Sequence, residues 1–180
     1  MARFHNAENY PFFLILGSPN SGKTTLMYRL YSGIFYNAIQ TLKRNIEEVR
    51  VDKVRLRTLN IVENNLSKEI WEPLISECSG VIFIIDISIS ANLIDSYRLF
   101  QEIGLSERLN NLPLAVFANK VDLQRHEVNL IKDLKIPETQ EKEAFIVQAI
   151  SCKTTAGITE GMNWLMKKTS NYFYIPAFRK

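Results

Sequence analysis

An α/β fold with a mainly parallel central sheet and helices on both faces is the architecture that this 180-residue sequence predicts. Three observations carry it. Short apolar runs rich in Val, Ile and Phe alternate with longer segments of helical period, the pattern of strands covered on both sides. Two segments of alternating character, near 45–51 and 54–60, meet at Asp52-Lys53 and read as a β-hairpin that adds one antiparallel edge. A Gly-containing stretch at 17–25 falls between the first apolar run and the first helical segment, which is where strand–loop–helix phosphate sites lie.

The elements follow in order. "FFLIL" (12–16) is the first strand, and a helix is expected from about residue 24 to 31. The hairpin comes next. "GVIFIID" (80–86) is the fourth strand, and an amphipathic helix over about 91–105 has Leu93, Ile94, Tyr97, Leu99 and Phe100 as its apolar positions. "LPLAVFA" (112–118) precedes a weaker helix around 124–135, and "AFIVQAI" (144–150) precedes a terminal helix near 159–173. The count is six strands in one sheet. No linker divides the chain, so residues 1–180 are expected to form one domain, with 1–10 as a short N-terminal extension.

Composition excludes several function classes. With 46% hydrophobic and 23% charged residues the chain has the make-up of an ordinary globular domain. A net charge of +3 is too small to imply nucleic acid as a partner, and the run "KRNIEEVRVDKVR" alternates in sign, as a solvated face does. Cys78 and Cys152 fit no metal-ligand or CxxC spacing and read as reduced thiols. The longest apolar runs are far short of the roughly 20 residues that span a bilayer. His5 and His126 have no ligand partners in sequence and read as surface residues.

The strongest motif is "GSPNSGKTT" (17–25), which fits G-x-x-x-x-G-K-[ST] in full. Wrapping a polyphosphate needs backbone N–H groups turned inward, hence Gly where positive φ or close approach is required. In this motif Asn20, Ser21, Gly22, Lys23, Thr24 and Thr25 are the phosphate-binding candidates. Lys23 brings a point charge to the β- and γ-phosphates, and the Thr24 hydroxyl can ligate Mg²⁺.

That loop alone does not choose between ATP and GTP, or between a kinase and a switch. "FANKVDL" (117–123) makes the choice. It ends an apolar strand with N-K-x-D, here Asn119, Lys120, Val121 and Asp122. The Asp122 carboxylate can accept two hydrogen bonds from guanine, at N1–H and the exocyclic amine. Adenine lacks that donor pair and would leave a charged acceptor unpaired. The Lys120 stem can lie over the base, and Asn119 ties the loop to its surroundings. Ser151, Cys152 and Lys153, in "ISCKT" after the next strand, are placed to offer a backbone N–H to guanine O6.

With these three motifs in order, the sequence resembles the small GTPases, and within them the ADP-ribosylation-factor-like (Arf-like) branch. "GKTT" closes the phosphate loop as in that branch, "VFANKVDL" is similar to its "VFANKQDL", and "GITEGMNWL" (157–165) to its "GLYEGLDWL". The resemblance runs from about residue 11 to 170. It implies a P-loop small-GTPase fold, GTP/GDP and Mg²⁺ as ligands, and a molecular switch whose partners are effector, exchange or activating proteins. The family's switch I Thr falls on Thr41, a second candidate Mg²⁺ and nucleotide ligand, with Asn45, Ile46 and Glu47 matching the family's "NVE". Nineteen residues on, where the family has the Asp of its Asp-x-x-Gly, stands Asn60. Eleven further on, the family Trp is kept as Trp71.

The departures are concentrated in this middle region. Asn60 can still accept a hydrogen bond but adds no charge beside a metal. Val62 replaces the Gly whose N–H meets the γ-phosphate, Glu63 the next Gly, and Asn64 the Gln that orients the attacking water. Since phosphoryl transfer depends mostly on positioning, Asn64 is the degenerate catalytic position, and hydrolysis is expected to be slow or absent. The resemblance places the partner surface at Leu42, Lys43, Arg44, Leu59 and Leu74, where the family's apolar and aromatic contacts have been replaced. Drift on a solvated surface and a distinct set of partners both remain open. Ala2 stands where a myristoylated Gly would be, and "MARFHNAENY" carries only Phe4 and Tyr10 as large apolar residues. No stable membrane anchor is expected, so the expected location is the cytoplasm, with any membrane association mediated by partners. The alternative to a slow switch is a non-hydrolysing interaction module in which nucleotide is structural.

Overall fold

The strand FFLILG is apolar along its length because neither face meets water. β1 (Phe12–Gly17) is buried at all six positions and lies within a six-stranded sheet. The computed structural model describes residues 10–35, 46–52, 54–59, 68–88, 90–104, 109, 112–124 and 144–169. Within them the chain runs β1, α1 (Lys23–Ser32), β2 (Ile46–Val51), β3 (Val54–Leu59), α2 (Lys68–Glu77), β4 (Gly80–Asp86), α3 (Ser90–Leu99), β5 (Leu114–Asn119), β6 (Phe145–Ala149) and α4 (Ile158–Lys168). The sheet order is β2-β3-β1-β4-β5-β6, parallel throughout except for the β2–β3 edge. This is the mainly parallel sheet with one antiparallel edge that the sequence predicts.

Alternation along the strands divides the core in two. Phe12, Leu14 and Leu16 pack on one face with Trp71, Leu74 and Ile75 of α2 and Leu99 of α3. Phe13 and Ile15 pack on the other with Leu26, Met27 and Leu30 of α1 and Ile158, Met162, Leu165 and Met166 of α4. Because both faces are covered, β1, β4 and β5 read as continuous apolar runs rather than alternating ones. The hairpin turns at Asp52, whose left-handed backbone (φ 50°) a short polar side chain tolerates. Glu48 and Arg57 lie opposite each other across it, and Arg57 Nε donates to Glu48 Oε2 at 2.6 Å.

Several expectations need correction. α2 is an element that the order of strands and helices read from the sequence does not include, and Pro73 lies inside it. Yet Trp71, Leu74, Ile75 and Cys78 recur at helical spacing and are all buried against the sheet, so tertiary packing overrides the proline. In α3, Ile94 is 56% exposed, and the inward position is taken by Ser96. Beyond Leu99 the helix opens into a π-helical turn, Phe100–Gly104, that turns Phe100 and Ile103 inward. Leu59 and Leu74 do not belong to a contact surface. They are only 3% and 9% exposed and sit in the core between the sheet and α2. α4 ends at Lys168, short of the expected 173. The helix expected at 124–135 lies outside the described residues beyond Gln124, as do the N-terminal extension up to residue 9, His5 and His126. Among the described residues no helix is long and apolar enough to cross a membrane.

α4 packs against β5 at Gly161, where a Cβ would lie 2.5 Å from Phe117 Cε1 and 2.6 Å from Cζ. Phe117 is fully buried and has no room to retreat. Gly161→Ala gains up to about 1 kcal/mol of helix propensity but incurs about 1–3 kcal/mol of overpacking. Urea denaturation should show a net loss of about 1–2 kcal/mol, whereas Ile94→Ala at the exposed position should stay within about 0.5 kcal/mol of wild type.

Candidate functional site

Parallel strands deliver their C-terminal ends to one edge of the sheet, and three loops meet there. The first leaves β1 at Gly17, whose backbone (φ 148°) leads into a tight turn against β4, where a Cβ would overlap the Ile84 carbonyl. The turn closes at Gly22 (φ 105°), where a Cβ would overlap Asn119 Nδ2. Only glycine fits both the backbone and the gap. The Gly22 carbonyl then accepts from Leu26 N at 2.8 Å and starts α1, whose N-terminus faces the loop. Lys23 curls back over it, donating from Nζ to Gly17 O at 2.9 Å and Ser18 O at 2.8 Å. Burial pulls its pKa down to about 8, so the loop holds a desolvated ammonium suited to an anion. The buried Thr24 hydroxyl donates to Glu47 Oε2 of β2 at 3.3 Å.

The second loop leaves β5 at Asn119, which is buried and pairs in register with Asp86 at the end of β4. Asn119 Nδ2 donates to Ser21 O at 2.8 Å, and its Oδ1 accepts from Cys152 N at 3.1 Å. One amide therefore fastens the first loop to the third. Lys120 has a left-handed backbone (φ 71°), and its Nζ meets Asp86 Oδ2 at 2.6 Å. Burial pushes the Asp86 carboxyl up, but Lys120 and two hydrogen bonds from Ser88 outweigh it, and its pKa lies below the usual range. The Lys120 stem is thus held at its tip by an ionised carboxylate.

Asp122 is exposed, in a short 3₁₀ turn spanning Val121–Leu123. Its Oδ1 accepts from the Ser151 hydroxyl at 2.6 Å, and Ser151 Oγ accepts in turn from Thr154 N at 3.1 Å. Ser151 and Cys152 are buried and Lys153 is exposed. Burial pushes the Cys152 thiol up to about 12 and the Cys78 thiol to about 11, leaving both protonated and unreactive.

The structure therefore brings together Asn20, Ser21, Gly22, Lys23, Thr24, Thr25, Asn119, Lys120, Asp122, Ser151, Cys152 and Lys153 at one edge of the sheet. Thr41, Leu42, Lys43, Arg44, Asn60, Val62, Glu63 and Asn64 lie outside the described residues. Sequence reasoning missed Asp86 and Arg29, and named Glu47 only as part of the "NVE" match, with no role at the site. Asp86 carried a signal, a lone carboxylate ending the apolar strand GVIFIID. Glu47 and Arg29 reach the site only through folding.

The ADP-ribosylation factor family matches residues 3–169 of this sequence. The chain belongs to that family. ADP-ribosylation factor-related protein 1 of Homo sapiens is 32% identical over 174 residues, covering 86% of this chain and 82% of the relative. ADP-ribosylation factor-like protein 1 of Saccharomyces cerevisiae is 29% identical over 157 residues, covering 85% and 84%. ADP-ribosylation factor D of Dictyostelium discoideum is 26% identical over 163 residues, covering 86% and 72%. As an Arf-like small GTPase the chain is a nucleotide-binding switch, and such GTPases bind guanine nucleotides, generally with Mg²⁺. The described residues fit a hard divalent cation. The Thr24 hydroxyl and the Glu47 carboxylate offer oxygen at the mouth of the phosphate loop, where Mg²⁺ sites complete their shell with phosphate and water.

Lys23 gives the Arf-family site a measurable signature. Its folded pKa is lowered, so between about pH 8 and its unfolded value near 10.4 the unfolded chain binds the extra proton. Stability must then rise with pH across that window. For nucleotide-stripped protein, urea denaturation should show wild type gaining about 2–3 kcal/mol relative to Lys23→Met between pH 7.5 and 10.5. Saturating nucleoside diphosphate should flatten that difference.

Proposed function

We propose that this Arf-like protein binds GTP and GDP with Mg²⁺ through the assembled loops and hydrolyses GTP slowly or not at all by the usual route. In this reading the backbone of residues 20–25 and Lys23 take the phosphates. Thr24 ligates the cation, joined by Thr41 in the GTP state. Asp122 accepts from the guanine N1–H and amine, and the loop 151–153 donates to O6. The observation that carries the reading is the side chain of Asn119, hydrogen-bonded to both the phosphate loop and the base loop. Phosphate and base are then bound at a fixed separation, which is the condition for recognising a whole nucleotide. A bound Mg²⁺ would neutralise charge on the phosphates.

The slow-hydrolysis part rests on the sequence at 60–64. Asn60 lacks the charge of the family Asp, Val62 cannot make the close approach of Gly, and Asn64 is one methylene short of Gln. Partner recognition by effector, exchange or activating proteins falls to Leu42, Lys43 and Arg44, since Leu59 and Leu74 are core. We place the protein in the cytoplasm, reaching membranes through those partners.

Single-turnover hydrolysis with GTP preloaded tests this. Wild type should retain its γ-phosphate at least about tenfold longer than Asn60→Asp/Val62→Gly/Asn64→Gln, which restores the family's positioning groups. A wild-type rate equal to that of ordinary small GTPases would sink the slow-hydrolysis reading. No gain in the triple variant would favour the interaction module in which nucleotide is structural.

A further inference from the structure

A guanidinium is costly to bury without partners, and α1 buries one. Arg29 is 8% exposed, and among the described residues its hydrogen bonds go to three backbone carbonyls. Nε donates to Cys152 O at 2.9 Å and Nη2 to Lys153 O at 2.7 Å, so one edge of the planar fork holds consecutive carbonyls of the base loop. Nη1 reaches the other way, to Gly33 O at 2.7 Å just past the end of α1, where Gly33 N returns a bond to Arg29 O at 2.9 Å. The Phe35 ring lies 5.7 Å from Arg29 Cζ.

In a trans peptide the C=O and the following N–H point in opposite directions. Turning the Cys152 carbonyl toward Arg29 therefore aims the Lys153 N–H away from α1. Turning the Lys153 carbonyl inward aims the Thr154 N–H outward in the same manner, and that N–H is found on Ser151 Oγ at 3.1 Å. The Cys152 N–H is already spent on Asn119. Among the described residues Lys153 N–H is the remaining backbone donor of 151–154, and Arg29 sets its direction.

We infer that Arg29 is a positioning residue for guanine recognition: its fork orients the peptide that meets O6 and couples that peptide to the Gly33–Phe35 turn. The inference rests on the guanine-site reading above. The turn exposes Ile34 and Phe35 immediately before residue 36, on the way to Thr41. A partner that shifts the Gly33 carbonyl would thereby loosen the grip on the base from a site that touches no nucleotide.

The test compares GDP, 6-thio-GDP and IDP on purified protein. Sulfur is a poor acceptor, so 6-thio-GDP reports the O6 contact, while IDP lacks the amine that Asp122 reads from its own turn. Wild type should prefer GDP over 6-thio-GDP by about tenfold, the worth of one hydrogen bond in a built site. In Arg29→Met the GDP affinity should fall by about tenfold and the GDP/6-thio-GDP ratio should collapse toward one, with the GDP/IDP ratio unchanged. General loosening of the site would lower all three affinities together and leave the 6-thio ratio intact, and that result overturns the inference. If Arg29→Met does not fold, Arg29→Lys carries the test, because it keeps the charge without the planar fork. Its 6-thio ratio should fall partway, and an unchanged ratio again overturns the inference. Phe35→Ala should speed GDP release several-fold, and unaltered release would remove the coupling to the turn. Wild type that binds no guanine nucleotide would instead overturn the proposed function.

Discussion

The amide of Asn119 holds the site together. It is buried with both ends satisfied, and its two bonds reach Ser21 and Cys152, 98 and 33 residues away in the chain. Leaving either partner unpaired would cost about 1–3 kcal/mol of desolvation, so the two loops have little freedom to move separately. Gly22 is part of the same constraint, because any side chain there would occupy the space of the Asn119 amide. The turn of the phosphate loop, the start of α1 and the placement of the base loop therefore depend on one short polar side chain at the end of β5.

Around it the sheet edge concentrates buried charge that the core would otherwise exclude. Lys23, Arg29 and Asp86 are each almost fully covered, and each is held differently. Lys23 rests on two carbonyls and is desolvated enough to lose proton affinity, a state that an anion relieves. Asp86 is kept ionised by Lys120 and Ser88. Arg29 carries its charge on backbone carbonyls and serves as a strut. The two apolar layers, with Trp71 on one face and Met162 and Leu165 on the other, supply the stability on which this arrangement stands.

How much of this could be read beforehand follows from locality. Strands buried on both faces announce themselves as unbroken apolar runs, and β4 begins and ends at Gly80 and Asp86 as the sequence predicts. The phosphate loop is legible because its chemistry needs contiguous residues. α2 gives a mixed signal, because Trp71, Leu74, Ile75 and Cys78 have helical spacing while Pro73 argues locally against a helix that packing enforces. Ile94, expected inward, is exposed and Ser96 is buried in its place, because the Ser96 hydroxyl pairs with Ser18 at 2.8 Å. Leu59 and Leu74 were expected on a recognition surface through alignment with the family's exposed aromatics, yet branched aliphatics at those places sink into the core. Arg29 acts across 123 residues of sequence on Cys152, a separation over which no periodicity or motif speaks.

Guanine selectivity is the property on which the site's chemistry converges, and the purified protein can be made to declare it. Denaturing it and identifying what is released should yield guanine nucleotide, with GTP prominent if hydrolysis is as slow as proposed. Release of adenine nucleotide would contradict the reading of Asp122 and of the loops that Asn119 joins.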